Sequence, residues 1–306
     1  MRSAARVGQL TSSAPELLGS LIMTTAMPWA DSSPPPQGLG LMRVREEHWG
    51  DPERDPGGLV RAAVDAGVRV LDTAEMYGNE AVVGRAIGTL RDDVILCSKF
   101  GVYWGDSGRF DDWSVRADAA TVRKAIDGSL KRLGTDRLDL YYLHHRSDET
   151  PIEETVGAMA ELQRAGKIRS LGLSNVTVED IRRAHRVHPI QAVQEQWSIT
   201  HREVEDMLPV LAELQITLVA HSPLGHGELL GSDGAHAATI ARLAEKYAVS
   251  AASLAVAWVH NRARQLGQSV TVLPGTTRAA HIRPNVAAAS LRIDDEDLDE
   301  LTRVGG

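Results

Sequence analysis

The sequence predicts a (β/α)8 barrel, a TIM barrel, occupying residues 37–306 as one α/β domain. Two observations carry that expectation. Eight short apolar runs alternate with longer stretches patterned for helices, and the polar, potentially reactive side chains gather at the C-terminal ends of the runs. Such alternation implies parallel strands joined by right-handed crossovers. A doubly wound open sheet fits the same rhythm, but the tally of eight favours the closed barrel, which buries both sheet faces and leaves no edge.

The elements follow in order. Gly38–Met42 (GLGLM) reads as the first strand, and Pro56–Ala66 as a helix ended by Gly67. Val68–Leu71 is the second strand, with a helix over Asn79–Leu90. Val94–Lys99 is the third, followed by Ala117–Leu133, whose apolar residues recur at helical spacing up to Gly134. Leu138–Leu143 and Ile152–Ala165 form the fourth unit, Ile168–Leu173 and Val178–Val187 the fifth, Ala192–Gln196 and Glu203–Leu214 the sixth. Ile216–Ala220 opens the seventh, with helices near Ala237–Tyr247 and Ser250–Asn261. Val270–Leu273 and Ala279–Ala288 complete the eighth. The tail Asp294–Leu301 (DDEDLDEL) reads as a short acidic surface helix.

Composition narrows the function. The chain of 306 residues is 43% hydrophobic, enough for one large core, and its net charge of −8 comes from interspersed rather than blocked charges. That pattern argues against a general nucleic-acid surface, for which a basic stripe is expected. No apolar run is long enough to span a bilayer, so no membrane role is expected. Cys97 is the single cysteine, and without a CxxC pair or Cys/His cluster no disulfide or metal site is expected; a reducing cytoplasm fits best. Residues 1–36 read as a disordered or mis-assigned leader. Leu17–Ala30 follows two arginines as in a signal peptide, but its polar residues and Pro28 match poorly, and Met23 or Met27 offers another start.

Asp72 follows the second strand, Lys99 ends the third, and His144 ends the fourth. Ser174 and Asn175 end the fifth, Gln194 and Gln196 lie on the sixth, Ser222 follows the seventh, and Pro274 and Gly275 follow the eighth. One such residue is usually a solvated group or a helix cap. Seven successive strand ends converging on the C-terminal mouth of a barrel describe a site.

These residues carry a resemblance. Asp72-Thr73-Ala74-Glu75-Met76-Tyr77-Gly78, Ser98-Lys99-Phe100, Leu140–His144, Gly172–Asn175, Ser222–Gly225 and Pro274-Gly275-Thr276 with Asn285 together resemble the aldo-keto reductase superfamily over residues 38–290. The stretch Arg132–Leu230 is most similar to bacterial reductases in the branch that also contains potassium-channel β subunits.

The chemistry can be argued from the residues. Reducing a carbonyl needs hydride on carbon and a proton on oxygen. A phenol of ordinary pKa near about 10 is a slow acid at neutral pH, but a buried ammonium beside it favours phenolate, and a carboxylate holds the ammonium in place. Tyr77, Lys99 and Asp72 supply that set, with a neutral His144 orienting the carbonyl oxygen. This agrees with the catalytic tetrad the resemblance implies. His145 is the alternative to His144, which strand spacing favours.

The resemblance implies an NADPH cofactor, with NADH the alternative. Ser174, Asn175 and Gln194 would meet the nicotinamide carboxamide. Ser222, Leu224 and Gly225 belong to the loop approaching the pyrophosphate, and Gly275, Thr276, Arg278, His281 and Asn285 to the adenosine end. Arg278 is the expected clamp for a 2′-phosphate. His221 stands where relatives carry a tyrosine stacked on the nicotinamide. It is expected to titrate near neutrality and to make binding of the oxidised cofactor pH-dependent. There is no GxGxxG fingerprint.

Trp49, Met76, Tyr103, Trp104 and Trp197 are expected to line an aromatic substrate pocket. The reading is an NADPH-dependent reductase of an aldehyde or ketone, such as a sugar or a secondary-metabolite intermediate. The alternatives are an aldose-type dehydrogenase running the oxidation and a nucleotide-sensing protein like the channel subunits. The sequence does not set the oligomeric state.

Overall fold

Period-two alternation along eight parallel strands decides what faces the interior. The computed structural model describes residues 37–304 apart from 108, 110 and 232–234, so the expected leader lies outside the described residues. The strands are β1 (Gly38–Gly40), β2 (Val70–Asp72) and β3 (Ile95–Phe100), then a hairpin of β4 (Val102–Trp104) and β5 (Trp113–Val115). β6 (Leu138–Leu143), β7 (Ile168–Ser174), β8 (Ala192–Gln196), β9 (Thr217–His221) and β10 (Val270–Leu273) follow. All except the hairpin form one sheet in the order β1-β2-β3-β6-β7-β8-β9-β10. Parallel bridges Gln37↔Val272 and Gly40↔Gly275 bring its two ends together. This is the expected (β/α)8 barrel.

Val70, Cys97, Leu140, Tyr142, Ala192, Val219 and Leu273, from six strands, form one buried cluster, which those strands can share only across the barrel interior. Their neighbours Leu71, Leu96, Tyr141, Val193 and Leu218 pack outward among the helices. Two residues beyond an inward residue is again inward. That parity aims Asp72, Lys99, His144, Ser174, Gln194 and His221 into the mouth.

The helices are α1 (Pro56–Asp65), α2 (Glu80–Ile87), α3 (Ala119–Leu133), α4 (Ile152–Arg164), α5 (Val178–Val187), α6 (Leu208–Glu213), α7 (Ala235–Lys246), α8 (Ala251–Gln265), α9 (Ile282–Ala288) and α10 (Asp295–Val304). Local capping starts several of them. The Asp118 carboxylate accepts the Ala120 and Thr121 amides at 3.0 Å, and Thr177 and Asp180 form a reciprocal capping box on α5. Two expected helices are split. Glu203–Met207 and Ala279–His281 are 3-10 turns, and the α-helices restart at Leu208 and Ile282. The restart puts Pro209 and Pro284 in a first turn, where the missing N–H costs nothing. The acidic tail is more than a surface helix. α10 buries Leu298, Leu301 and Asp297, and Asp297 holds Lys246 and the Tyr247 hydroxyl.

Candidate active site

Asp72 ends β2, and the chain then makes a 3-10 turn, Glu75–Tyr77. Gly78 closes the turn at φ 67, a left-handed conformation that a β-carbon disfavours. The Tyr77 ring comes back over the mouth, edge-on to His144 with centroids 5.7 Å apart. Lys99 is 1% exposed. Its Nζ pairs with Asp72 Oδ1, donates to the Thr73 carbonyl at 3.0 Å and lies 3.5 Å from Tyr77 Oη. Asp72 Oδ2 accepts from Gln194 Nε2 at 3.0 Å.

The electrostatics differ from the sequence expectation in one respect. Burial is the largest influence on Tyr77 and holds its phenol above the ordinary value. Lys99 pulls the other way without prevailing, and Asp72 opposes it. Tyr77 is thus a protonated phenol at rest. Desolvation works against the Lys99 charge, but Asp72 and Tyr77 outweigh it and hold the ammonium above its usual range. Burial, then Lys99, keeps His144 far below the usual histidine value, hence neutral. His144 Nδ1 is buried with no hydrogen-bond partner. The ring of His145 instead faces Trp113 at 5.0 Å, and its Nδ1 lies 2.8 Å from the Arg146 carbonyl.

The residues expected at the nicotinamide lie together. Asn175 has φ 53, and its Nδ2 donates to the His144 carbonyl at 2.8 Å and to Ser174 Oγ at 3.1 Å. The His221 ring is partly exposed, with Nδ1 3.0 Å from Ser222 Oγ. Burial, then the charge of Lys99, pushes its pKa down to about 3. The expected titration near neutrality is overturned, because the fold removes water that an imidazolium needs and the Lys99 ammonium adds to the cost.

A dinucleotide fits the remaining loops. Ser222, Gly225, His226 and Gly227 all have positive φ, and the Leu224–Gly225 step passes from right-handed to left-handed backbone. A step of this kind can turn successive amides to one side, as an anion cradle requires. Thr276 Oγ1 accepts the Arg278 amide at 3.0 Å and lies 3.1 Å from His281 Nδ1. The Arg278 guanidinium reaches Glu53 at 3.4 Å. Asn285 is half-buried on α9.

The expected aromatic pocket separates into parts. Trp104 Nε1 donates to the Met76 carbonyl at 3.1 Å, so both adjoin the Tyr77 turn. Tyr103 faces Arg116, and burial, then Glu75, pushes its hydroxyl up to about 12. Trp49 stacks against Arg85 of α2. Trp197 does not line the pocket. It is fully buried, packed edge-on against Trp258, with Nε1 donating to Glu205 at 3.3 Å; its place just past β8 turns the ring in among the outer helices.

Two features were missed. The hairpin carries Trp104 opposite Trp113, so their side chains share a face, and they are 49% and 39% exposed. Its signal was present in two β-prone triplets, VYW and WSV, flanking a Gly/Asp-rich stretch. Arg132 of α3 pairs with Glu80 at 2.6 Å and Glu75 at 3.3 Å, and Glu80 also accepts from Ser98 Oγ at 2.6 Å. No local pattern announces contacts across more than fifty residues. Among the described residues, no group of three or more His, Cys, Asp or Glu could hold a metal ion, and no helix is long and apolar enough to cross a membrane.

The chain is similar to known proteins over the whole barrel. An aldo-keto reductase from Klebsiella pneumoniae, solved in complex with NADPH, is 31% identical with a TM-score of 0.74, covering 90% of this chain and 92% of that one. A glycerol dehydrogenase from Gluconobacter oxydans is 25% identical with a TM-score of 0.78, covering 92% and 95%. The holo form of an aldo-keto reductase from Bacillus halodurans is 25% identical with a TM-score of 0.70, covering 88% and 91%. The Aldo/keto reductase family model matches residues 37–305, and with that match over nearly all of the barrel the chain belongs to the aldo/keto reductase family.

Proposed function

We propose that this chain reduces the aldehyde or ketone group of a small molecule with NADPH, Tyr77 donating the proton. The observation that carries the reading is the Tyr77 phenol set 3.5 Å from the Lys99 ammonium and edge-on to a neutral His144. When bound, the dinucleotide supplies hydride to the carbonyl carbon. Tyr77 holds its proton at rest and releases it beside an ammonium, so phenolate forms where a positive charge already stands. Asp72 fixes that ammonium, and the neutral imidazole of His144 can hydrogen-bond the carbonyl oxygen. Ser174, Asn175 and Gln194 are proposed to meet the carboxamide, His221 the nicotinamide face, and Ser222, Leu224 and Gly225 the pyrophosphate. Gly275, Thr276, Arg278, His281 and Asn285 would hold the adenosine end.

The same groups serve oxidation, with Tyr77 as base after losing its proton. Met76, Trp104 and Trp113 offer a flat apolar wall, consistent with a sugar ring or another cyclic intermediate. The lone, buried Cys97 fits a cytoplasmic setting. The test is a panel of aldehydes, ketones and the matching alcohols, with NADPH and NADH, followed by nicotinamide fluorescence. Turnover with carbonyls and NADPH supports the proposal. Cofactor binding without turnover of any carbonyl or alcohol would leave the nucleotide-sensing role in its place.

A further inference from the structure

Glu195 sits on β8 beside Gln194 but with opposite parity, so it faces away from the barrel interior. Its Oε1 accepts the Val176 amide at 3.1 Å, and the Asn175 amide is directed at the same carboxylate. No arginine, lysine or histidine forms an ion pair with it among the described residues. The charged groups beside the Asn175–Thr177 turn are engaged elsewhere, Arg146 with Asp180 and Asp148 and Asp180 also with Thr177, while Lys99 and His221 lie on the opposite, inward face of the sheet. A half-buried carboxylate that accepts from a backbone amide is a clamp on the turn that carries that amide.

That backbone is the left-handed turn at Asn175, a conformation disfavoured for a residue with a β-carbon and held only by its surroundings. The turn presents the Asn175 amide group to the His144 carbonyl and to Ser174. We propose that Glu195 is a positioning residue for the nicotinamide side of the site, its carboxylate holding the Asn175–Val176 turn in the form that binds the cofactor. The inference rests on the cofactor reading given above.

The clamp is sensitive to protonation. The ionised carboxylate accepts from the Val176 amide with the help of its full charge. Once protonated, it is at best a neutral acceptor, and the bond loses that assistance. Burial pushes the Glu195 carboxyl up to about 7, against the pull of the two amides, so the change falls in the neutral range. The turn is held best above that value and loosens below it.

NADPH affinity, measured by fluorescence titration from about pH 8.5 to 6, should fall as Glu195 takes up its proton, by roughly threefold to tenfold, the difference between a charge-assisted and a neutral hydrogen bond. Glu195→Gln keeps a neutral acceptor and no charge, so it should bind weakly at every pH and lack this step. The cofactor's own phosphate titration is common to both proteins and cancels in the comparison. In the wild type alone, the Asn175 and Val176 amide resonances should shift with a midpoint close to about 7, a readout that does not depend on the variant folding well. Parallel affinity profiles, or amide resonances that do not titrate, would overturn the role of Glu195. Absence of NADPH binding at any pH would overturn the cofactor reading instead.

Discussion

Lys99 and Tyr77 face each other across 3.5 Å inside the mouth, and the ammonium stands 5.1 Å from the centroid of the phenol ring. Tyr77→Phe removes the donor oxygen and little else. Carbonyl reduction should fall by about 10²–10⁴-fold, the usual worth of a positioned acid, while NADPH affinity measured by fluorescence stays unchanged. Lys99 is the one group that lowers the Tyr77 pKa against burial. Lys99→Met should therefore raise that pKa, and the alkaline rise of the oxidation rate, which needs phenolate, should move to higher pH. An oxidation profile that stays in place would show that Lys99 does not act on the phenol.

Arg132 is the cation between two carboxylates, and Glu80 beside it is buried. Removing one partner of a buried pair strands the other charge. Arg132→Met should destabilise the fold by roughly 3 kcal/mol, the low end of the range for a buried pair, because the guanidinium is itself part-exposed. It should also lower turnover, since Glu75 begins the turn carrying Tyr77. Adding Glu80→Gln should restore much of the stability. Urea unfolding of the single and double variants measures both effects.

His221→Tyr should tighten cofactor binding by adding ring area, without altering its pH dependence. With its pKa pushed down to about 3, His221 stays neutral throughout the range in which binding is measured. Titrations of NADP⁺ between about pH 6 and 8 should give parallel curves for the two proteins. Curves that diverge below neutrality would mean His221 does take up a proton.

Glu53 competes for the guanidinium proposed to hold the 2′-phosphate. The Arg278–Glu53 pair is solvent-exposed at both ends, so it is worth at most about 1 kcal/mol. Glu53→Gln should improve the NADPH-over-NADH ratio of kcat/KM by up to about fivefold, and Arg278→Ala should reduce it. An unchanged ratio in both variants would remove Arg278 from cofactor selection.

His260 on α8 is buried, and its Nε2 has no partner. Burial, then the nearby Arg264, lowers its pKa from 6.5 to about 4. Because the folded value lies below the unfolded one, its contribution is fully present above pH 6.5 and is lost as pH falls towards 4. At full protonation the loss approaches about 3 kcal/mol. Stability of His260→Gln, measured across the same interval, should fall less steeply than that of the wild type.

Strands bounded by turn signals were legible to the residue. Leu138–Leu143, Ala192–Gln196 and Val270–Leu273 begin and end where the apolar pattern does. Asp72, Lys99 and His144 were legible for a related reason, since strand parity and strand ends fix where they point, whereas Tyr77, on the turn beyond β2, was legible through the motif Asp72–Gly78 and the chemistry of a phenol beside an ammonium. Features set by packing between distant segments were not. Arg132 meets Glu80 only because α3 lies on α2, and Trp197 turns inward because Trp258 and Glu205 wait there. Ionisation states were the least legible. The sequence supplies ordinary pKa values, whereas His221 and Glu195 owe theirs to how much water the fold removes.

Among the described residues, the β4–β5 hairpin is tied through Trp104 to the carbonyl of Met76 and through Trp113 to the ring of His145. Those anchors are the immediate neighbours of Tyr77 and His144. One surface loop thus acts as a yoke across both halves of the reacting centre. Exchanging it changes what the mouth admits and, in the same stroke, how the acid and the imidazole are spaced. Under loop grafting, selectivity and turnover should therefore shift together in this barrel, while changes at Glu53 and Arg278 shift cofactor choice alone.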